Sequence, residues 1–313
     1  MKLEDVLAAY SRIKKNVRKT PLLTSRLINE RLGCEVYFKS EHLQTTGSFK
    51  ARGALNFLLT EHSGSKSFTT YSSGNHGQAL SWACTRIGAK AVVFVPEDAS
   101  RAKVSAIEQY GGIVRRAGHW PHERLEACLA YAEANQATIV PPFEDERIIA
   151  GQGTVLLEVL EDLPVFDALL VPGGGGGLLS GTSLVCKTLR PKTTVFSCES
   201  QSANDIALSL QAGKPVAIDP PKTIADGIRH LKPGSLTWPV FSQYVDEGLT
   251  CQEETIRAAM ALVARHMKQI FEPTGAVSLA CLMDNPKRFQ GQTVVLIVSG
   301  GNVDLEDYCR LVL

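Results

Sequence analysis

The sequence predicts an α/β protein of two lobes, each an open, twisted, mostly parallel sheet with helices on both faces. Three observations predict it. Strand-like apolar runs alternate with helix-like segments along most of the chain, the rhythm of successive β-α units. The 313 residues, 44% of them hydrophobic, are enough for a sizeable core and two lobes. A compact run of β-α units from Phe68 to Pro142 reads as a lobe of its own, after which the chain returns near Pro141-Pro142. The expected division is a large domain of residues 1–67 and 143–313 and a small inserted domain of residues 68–142.

The elements follow in order. Glu35 to Lys39 reads as a strand, and Ser48 to Leu59 as a helix capped by Thr46 or Ser48. Phe68 to Tyr71 is a strand, followed by a Ser-Ser-Gly-Asn turn and a helix from Gly77 to Ile87. Lys90–Val95 and Ile113–Arg115 are strands, with helices expected over Arg101–Tyr110 and His122–Asn135. A strand-helix pair spans Asp167 to Leu189, and Thr194–Cys198 is a further strand. Thr250 to His266 carries helical periodicity, and Thr293–Val298 is the last apolar strand.

Composition excludes several function classes. Net charge is +1, with 33 basic and 32 acidic residues dispersed along the chain, so neither a nucleic-acid nor an anionic-membrane surface is expected. No apolar run is long enough to span a bilayer, and the start of the chain, with Glu4 and Asp5, does not resemble a signal peptide. Eight scattered cysteines without a Cys-x-x-Cys pair read as reduced thiols of a cytoplasmic protein. His119 and His122 lack partners at zinc-site spacing and read as surface histidines.

Gly173, Gly174, Gly175, Gly176 and Gly177 stand between an apolar strand and a helix. Without Cβ atoms the backbone can fold tightly and point several N–H groups at one spot, and the next helix adds its positive dipole end. A flexible linker would be longer and flanked by polar sequence. The dinucleotide fingerprint fails, because its last glycine would fall on Leu178, Leu179 or Ser180. The nucleotide P-loop fails too, because Gly213-Lys214 is followed by Pro215. The run therefore predicts a cradle for a single phosphate monoester, as in phosphorylated cofactors or sugars.

Three more segments place polar residues at strand ends, where open α/β sheets bind ligands. Lys50 lies in the first turn of its helix, opposed by the helix dipole and beside Phe49, which favours a depressed pKa and a nucleophilic amine. Ser72 to Gly77 gathers hydroxyls, an amide, an imidazole and glycines before a helix, a setting suited to a carboxylate. Ser299 ends a strand and precedes Gly300-Gly301, so its hydroxyl is a candidate ligand to a heteroatom.

Taken together, Gly47-Ser48-Phe49-Lys50-Ala51-Arg52-Gly53-Ala54, Ser72-Ser73-Gly74-Asn75-His76-Gly77, Gly173 to Gly177 and Ser299-Gly300-Gly301-Asn302 resemble the fold-type-II pyridoxal-phosphate enzymes, related to the tryptophan-synthase β chain. Within them the chain is similar to the serine/threonine dehydratase and serine racemase branch, over nearly its whole length. The resemblance implies pyridoxal 5'-phosphate in the cleft between the lobes. It implies that Lys50 carries the cofactor and moves the Cα proton on one face. Gly173 to Gly177 would bind the phosphate, Asn75 the ring oxygen and Ser299 the pyridine nitrogen, with Phe49 and Gly227 sandwiching the ring. Ser72, Ser73, Asn75 and His76 would hold the substrate carboxylate.

Ser73 matches the residue that protonates the opposite face of Cα in serine racemases. Glu199, Ala203 and Asp205 resemble the family's divalent-cation site, with oxygen ligands suited to Mg²⁺ or Ca²⁺. Read from the residues alone, the same cluster is an acidic helix start. Arg124 and His230 match distal positions that touch the substrate side chain, and a cationic wall there suits an acidic substrate such as 3-hydroxyaspartate. The resemblance implies a cytoplasmic homodimer that acts on a small amino acid by β-elimination of L-serine or L-threonine, with serine racemisation as the alternative. A cysteine-synthase-like β-replacement is disfavoured, because its motifs typically read Lys-Asp-Arg and Gly-Asn-Thr-Gly where this chain has Lys50-Ala51-Arg52 and Gly74-Asn75-His76-Gly77.

Overall fold

The computed structural model describes residues 1–61, 64, 66–72 and 74–313. Among the described residues ten strands form two sheets. They are β1 (Leu22–Thr24), β2 (Glu35–Ser40), β3 (Ser67–Thr70), β4 (Lys90–Val95), β5 (Ile113–Arg116), β6 (Thr138–Ile139), β7 (Ala168–Pro172), β8 (Thr194–Ser200), β9 (Glu247–Cys251) and β10 (Thr293–Val298). The larger sheet runs β1-β2-β10-β7-β8-β9 and is parallel except for β1, which pairs antiparallel with β2 at the edge. The smaller sheet runs β5-β4-β3-β6 and is parallel throughout.

Both sheets are covered on both faces, as parallel sheets require. Alternation does the sorting along β10. Val294, Leu296 and Val298 join Phe38, Leu170 and the helices Glu253–Met267 and Pro273–Asp284 on one face. Val295 and Ile297 join Leu169, Val171 and the helices Leu3–Ile13, Glu146–Asp162 and Gly177–Leu189 on the other. Each such aliphatic side chain contributes roughly 1.5–3 kcal/mol when fully buried. In the small sheet Val92 and Phe94 pack on Cys128 and Tyr131, while Val93 and Val95 pack on Ile107. The eight cysteines are free thiols, and all but Cys309 are buried.

Three helices stack through glycine. A Cβ on Gly151 would stand 2.6 Å from the Cα of Gly53, and one on Gly181 would stand 2.5 Å from the backbone N of Gly153. The helices Lys50–Leu59 and Gly177–Leu189 thus both press their backbones against the helix Glu146–Asp162 between them.

Several sequence expectations need correction. The helix expected from Ser48 starts at Lys50, and neither Thr46 nor Ser48 caps it. Ser48 is instead bridged to Gly300, Phe49 N donates to Ser299 O at 3.1 Å, and Gly301 N donates to Gly47 O at 2.9 Å. That pairing ties the residues before the helix to the loop after β10. Thr250 and Cys251 end strand β9, and the helix begins only at Glu253. The helix expected from Gly77 starts at Asn75. Among the described residues no helix is long and apolar enough to cross a membrane.

Candidate active site

A cleft of about 480 Å³ opens beyond the carboxyl ends of β3, β7 and β10. Phe49, Lys50, Ser72, Asn75, His76, Gly227 and Ser299 line it, together with Gly173, Gly175, Gly176 and Gly177. Gly174 is the one glycine of the run outside the lining, and its Cβ position faces Gly227 O at 3.0 Å. Ser73 lies outside the described residues.

The zipped loop before Lys50 and a buried ion cluster behind it fix the lysine's helix. Two residues on, the Arg52 guanidinium donates to Glu41 at 2.7 and 2.8 Å and to Glu158 at 2.7 and 2.8 Å. Lys39 Nζ donates to Glu158 Oε2 at 2.5 Å and to Thr20 O at 2.7 Å. Lys50 itself points away from this cluster. Its Nζ donates to Pro142 O at 2.7 Å and lies 5.1 Å from the Phe49 ring centroid. Desolvation by the surrounding protein lowers its amine to about 8.

The glycine run is a cradle that side chains would fill. Gly174 and Gly176 hold φ of 74° and 85°, a left-handed backbone that favours glycine. A Cβ on Gly175 would enter the Phe143 ring, and one on Gly173 would stand 2.9 Å from Glu199 Cγ. The helix beginning at Gly177 has no side-chain cap, so its first-turn N–H groups are available to an anion. Across the cleft, the Ser299 hydroxyl is 2% exposed and has no hydrogen-bond partner among the described residues. A bare cradle facing an orphaned hydroxyl and a desolvated amine fits a phosphorylated aromatic aldehyde such as pyridoxal phosphate.

Asn75 is held at both ends of its amide. Its Nδ2 donates to Glu272 Oε1 at 2.8 Å, and its Oδ1 accepts from Asn302 Nδ2 at 2.7 Å. His76 behaves differently from the expectation for a carboxylate ligand. Its Nε2 faces Val140 O at 3.0 Å, and burial with the charge of Lys50 lowers it to about 3. The carbonyl takes the one ring proton, so Nδ1 offers a lone pair and cannot donate to an anion. Gly227 N donates to Thr274 Oγ1 at 3.0 Å, which presents its backbone to the cleft.

At the distal wall, His230 packs edge-on to Phe143 at 5.0 Å, and burial and the Lys50 charge lower it to about 4. It is neutral, so it adds no charge for an acidic substrate. Arg229 is committed to Thr223 O, and Lys103 pairs with Asp226 at 3.1 Å across the mouth. Arg124 lines the cleft with a buried Nε that has no partner among the described residues.

Glu199 and Asp205 lie together, both fully buried. Glu199 accepts from Ile206 N at 3.1 Å and Ala207 N at 2.7 Å, while the Asp205 carboxyl faces that of Glu199 and neither of its oxygens finds a donor among the described residues. Burial raises Asp205 to about 7, and burial and the Asp205 charge raise Glu199 well above the usual range. Ala203 adjoins them through a bridge to Ser200. Among the described residues no group of three His, Cys, Asp or Glu side chains could hold a metal. The orphaned oxygens of Asp205 nonetheless suit a hard cation.

Sequence reasoning misses Glu272, Phe143 and the Arg52 cluster. The one available signal for Glu272 is a carboxylate set between Phe271 and Pro273 in an apolar stretch.

Fold and site together define an enzyme that works with pyridoxal phosphate. Residues 13–300 match the family described as "Pyridoxal-phosphate dependent enzyme", and the chain belongs to that family. It is 39% identical over 310 residues to the L-threo-3-hydroxyaspartate ammonia-lyase of Saccharomyces cerevisiae, covering 98% of this chain and 95% of that one. It is 42% identical over 315 residues to the serine racemase of Dictyostelium discoideum, covering 99% and 97%. The crystal structure of T.th. threonine deaminase superposes with a TM-score of 0.93 at 41% identity, covering 97% and 99%. The chain is therefore a pyridoxal-phosphate enzyme of the ammonia-lyase and racemase group.

Proposed function

We propose that the protein carries out β-elimination on a 2-amino-3-hydroxy acid, with L-serine and L-threonine as substrates: the 3-hydroxyl leaves as water, and hydrolysis of the released enamine gives a 2-oxo acid and ammonia. The orphaned Ser299 hydroxyl carries this reading. When bound, pyridoxal phosphate supplies a sink for the electron pair left as Cα loses its proton. A serine hydroxyl opposite the ring nitrogen is neutral and cannot act as a counter-ion to a pyridinium, which favours prompt loss of the β-hydroxyl over a long-lived delocalised charge. Lys50 Nζ, with an amine free near pH 8, takes the Cα proton. The glycine cradle would hold the phosphate through backbone N–H groups, and Ser72 with the start of the Asn75 helix would hold the substrate carboxylate by hydroxyl and backbone donors.

Two further readings have support. Arg124, with its unpartnered Nε, favours a substrate carrying a second carboxylate, and the yeast relative is named for such a substrate. Ser73 in the sequence, with the identity to a serine racemase, favours racemisation as a side reaction. We also propose a divalent cation between Glu199, Ala203 O and Asp205, supported by the two orphaned Asp205 oxygens.

The purified holoenzyme should be incubated with L-serine, L-threonine and L-threo-3-hydroxyaspartate, with oxo acid, ammonia and D-serine measured together. Oxo acid from serine or threonine is the expected result. Oxo acid from the diacid alone overturns the monoacid reading, and D-serine without pyruvate overturns elimination. Borohydride should fix the cofactor to the peptide that contains Lys50, and label on another lysine refutes its role. Cofactor uptake by the cofactor-free protein should quicken as pH rises through about 8, because only the free amine attacks.

A further inference from the structure

Asn75 has an amide whose sense the surrounding chain dictates. The dictation starts at a backbone carbonyl. Asn302 Nδ2 donates to Thr46 O at 2.8 Å, and a carbonyl can only accept, so the sense of the Asn302 amide is fixed. The same Nδ2 then donates to Asn75 Oδ1 at 2.7 Å, which fixes Asn75 in turn. Asn75 Nδ2 is left to donate to Glu272 Oε1 at 2.8 Å. One amide hydrogen of Asn75 remains without a partner among the described residues, on a side chain that lines the cleft.

Glu272 accepts from the Asn75 amide and also faces the backbone N–H of Asn302. It is 4% exposed, lines the cleft and makes no ion pair among the described residues. Its carboxyl lies over the backbone of Gly300, where a Cβ would collide with Oε1 and stand 3.0 Å from Cδ. Burial first, and then the charge of Asp226, push it up to about 8, against smaller opposing effects of Asn75, Lys103 and Asn302. Near pH 7 it is mostly a neutral acid that still accepts from Asn75 through Oε1.

We propose that Glu272 is a positioning residue for the cofactor, which holds the Asn75 amide so that its remaining Nδ2 hydrogen faces the ring oxygen. The relay of Thr46, Asn302, Asn75 and Glu272 joins the loop after β10 to the loop after β3. It therefore registers the ring against both sheets at once. Since Glu272 acts as a hydrogen-bond acceptor and not as a charge, an uncharged acceptor of the same length replaces it.

This inference rests on the reading of Lys50 as the cofactor lysine. The test is equilibrium cofactor affinity and the absorption band of the bound cofactor, compared for the wild type, Glu272→Gln, Glu272→Ala and Asn302→Ala. Glu272→Gln should keep the dissociation constant within about 2-fold, with an unmoved band. Glu272→Ala and Asn302→Ala should weaken binding about 3- to 10-fold, the net worth of one hydrogen bond, and move the band. An unmoved band and affinity in Glu272→Ala overturn the proposal, and so does a Glu272→Gln as damaged as Glu272→Ala. Where Glu272→Ala does not fold, the Glu272→Gln and Asn302→Ala pair gives the same decision. Borohydride label on Lys50 with an unmoved Glu272→Ala defeats this inference alone, whereas label elsewhere defeats the reading beneath it.

Discussion

Two groups of buried carboxylates sit in this molecule, and they differ in what completes them. Behind the Lys50 helix, Glu41 and Glu158 face Arg52 and Lys39, two negative charges against two positive ones, each side chain at most 2% exposed. Burial alone would raise Glu41, but the Arg52 charge and its hydrogen bonds hold it below the usual carboxylate range. Beside the glycine cradle, Glu199 and Asp205 are just as dry, and no cation of the described chain pairs with them. Both are raised instead. Equal burial thus has opposite effects. The first group is finished by the chain itself and reads as architecture. The second has no such counter-charge among the described residues, and a shared proton or the proposed cation would complete it.

The comparison breaks most visibly at Arg52. Arg52→Met leaves two buried carboxylates with one ammonium, and should cost about 3–5 kcal/mol of unfolding free energy in a denaturant titration. A loss below about 1 kcal/mol would mean that water already reaches the cluster.

A smaller effect of opposite sign is expected at Asp205. Asp205→Asn removes the repulsion, and should stabilise the chelator-treated protein at pH 8 by roughly 1–3 kcal/mol, given that a tenfold change in proton affinity is worth about 1.4 kcal/mol. An unchanged or lowered melting temperature would remove the basis for a cation. The pH dependence has a definite sign. The folded Asp205 carboxyl titrates near 7, above its unfolded value of 3.8, so its contribution to stability is complete below about 4 and is lost as pH rises through about 7. Melting temperature in chelator should therefore fall over that window, and Mg²⁺ or Ca²⁺ should flatten the fall. Equal curves with and without the cation would assign the pair a shared proton only.

The smallest effect belongs to the exposed pair at the cleft mouth. Lys103 and Asp226 are 45% and 49% exposed, and Lys103→Ala should change stability by under about 1 kcal/mol, as measured by chemical denaturation. A cost like that of Arg52 would show that exposure does not separate the clusters.

What the sequence makes legible is local. Gly173 to Gly177 announce a cradle because a missing Cβ acts where it stands. Lys50 stands out through its immediate neighbours, and burial lowers it. The helix start is hidden because Ser48 pairs with Gly300, far along the chain, and no local pattern reports that. Arg52 with Glu158, and Asn75 with Glu272, are 106 and 197 residues apart, so their meaning exists only after folding. The end of strand β9, Thr250 and Cys251, is absorbed into a helical pattern because Glu247 and Gly248 give this short strand little signal beside the amphipathic run that follows.

The glycine crossings at Gly53–Gly151 and Gly153–Gly181 work as a gauge block. The middle helix touches the amine-bearing helix on one side and the cradle helix on the other. The span from the Lys50 helix to the glycine run is then set by backbone against backbone, with no intervening rotamer to relax. Random mutation at Gly151 or Gly181 acts at range. One methyl wedges two helices apart and lengthens the gap that a ligand of fixed size must bridge, while every residue facing the cleft stays the same. Drift in such a protein is free to repaint the walls of the cleft, but the spacing beneath them tolerates almost nothing.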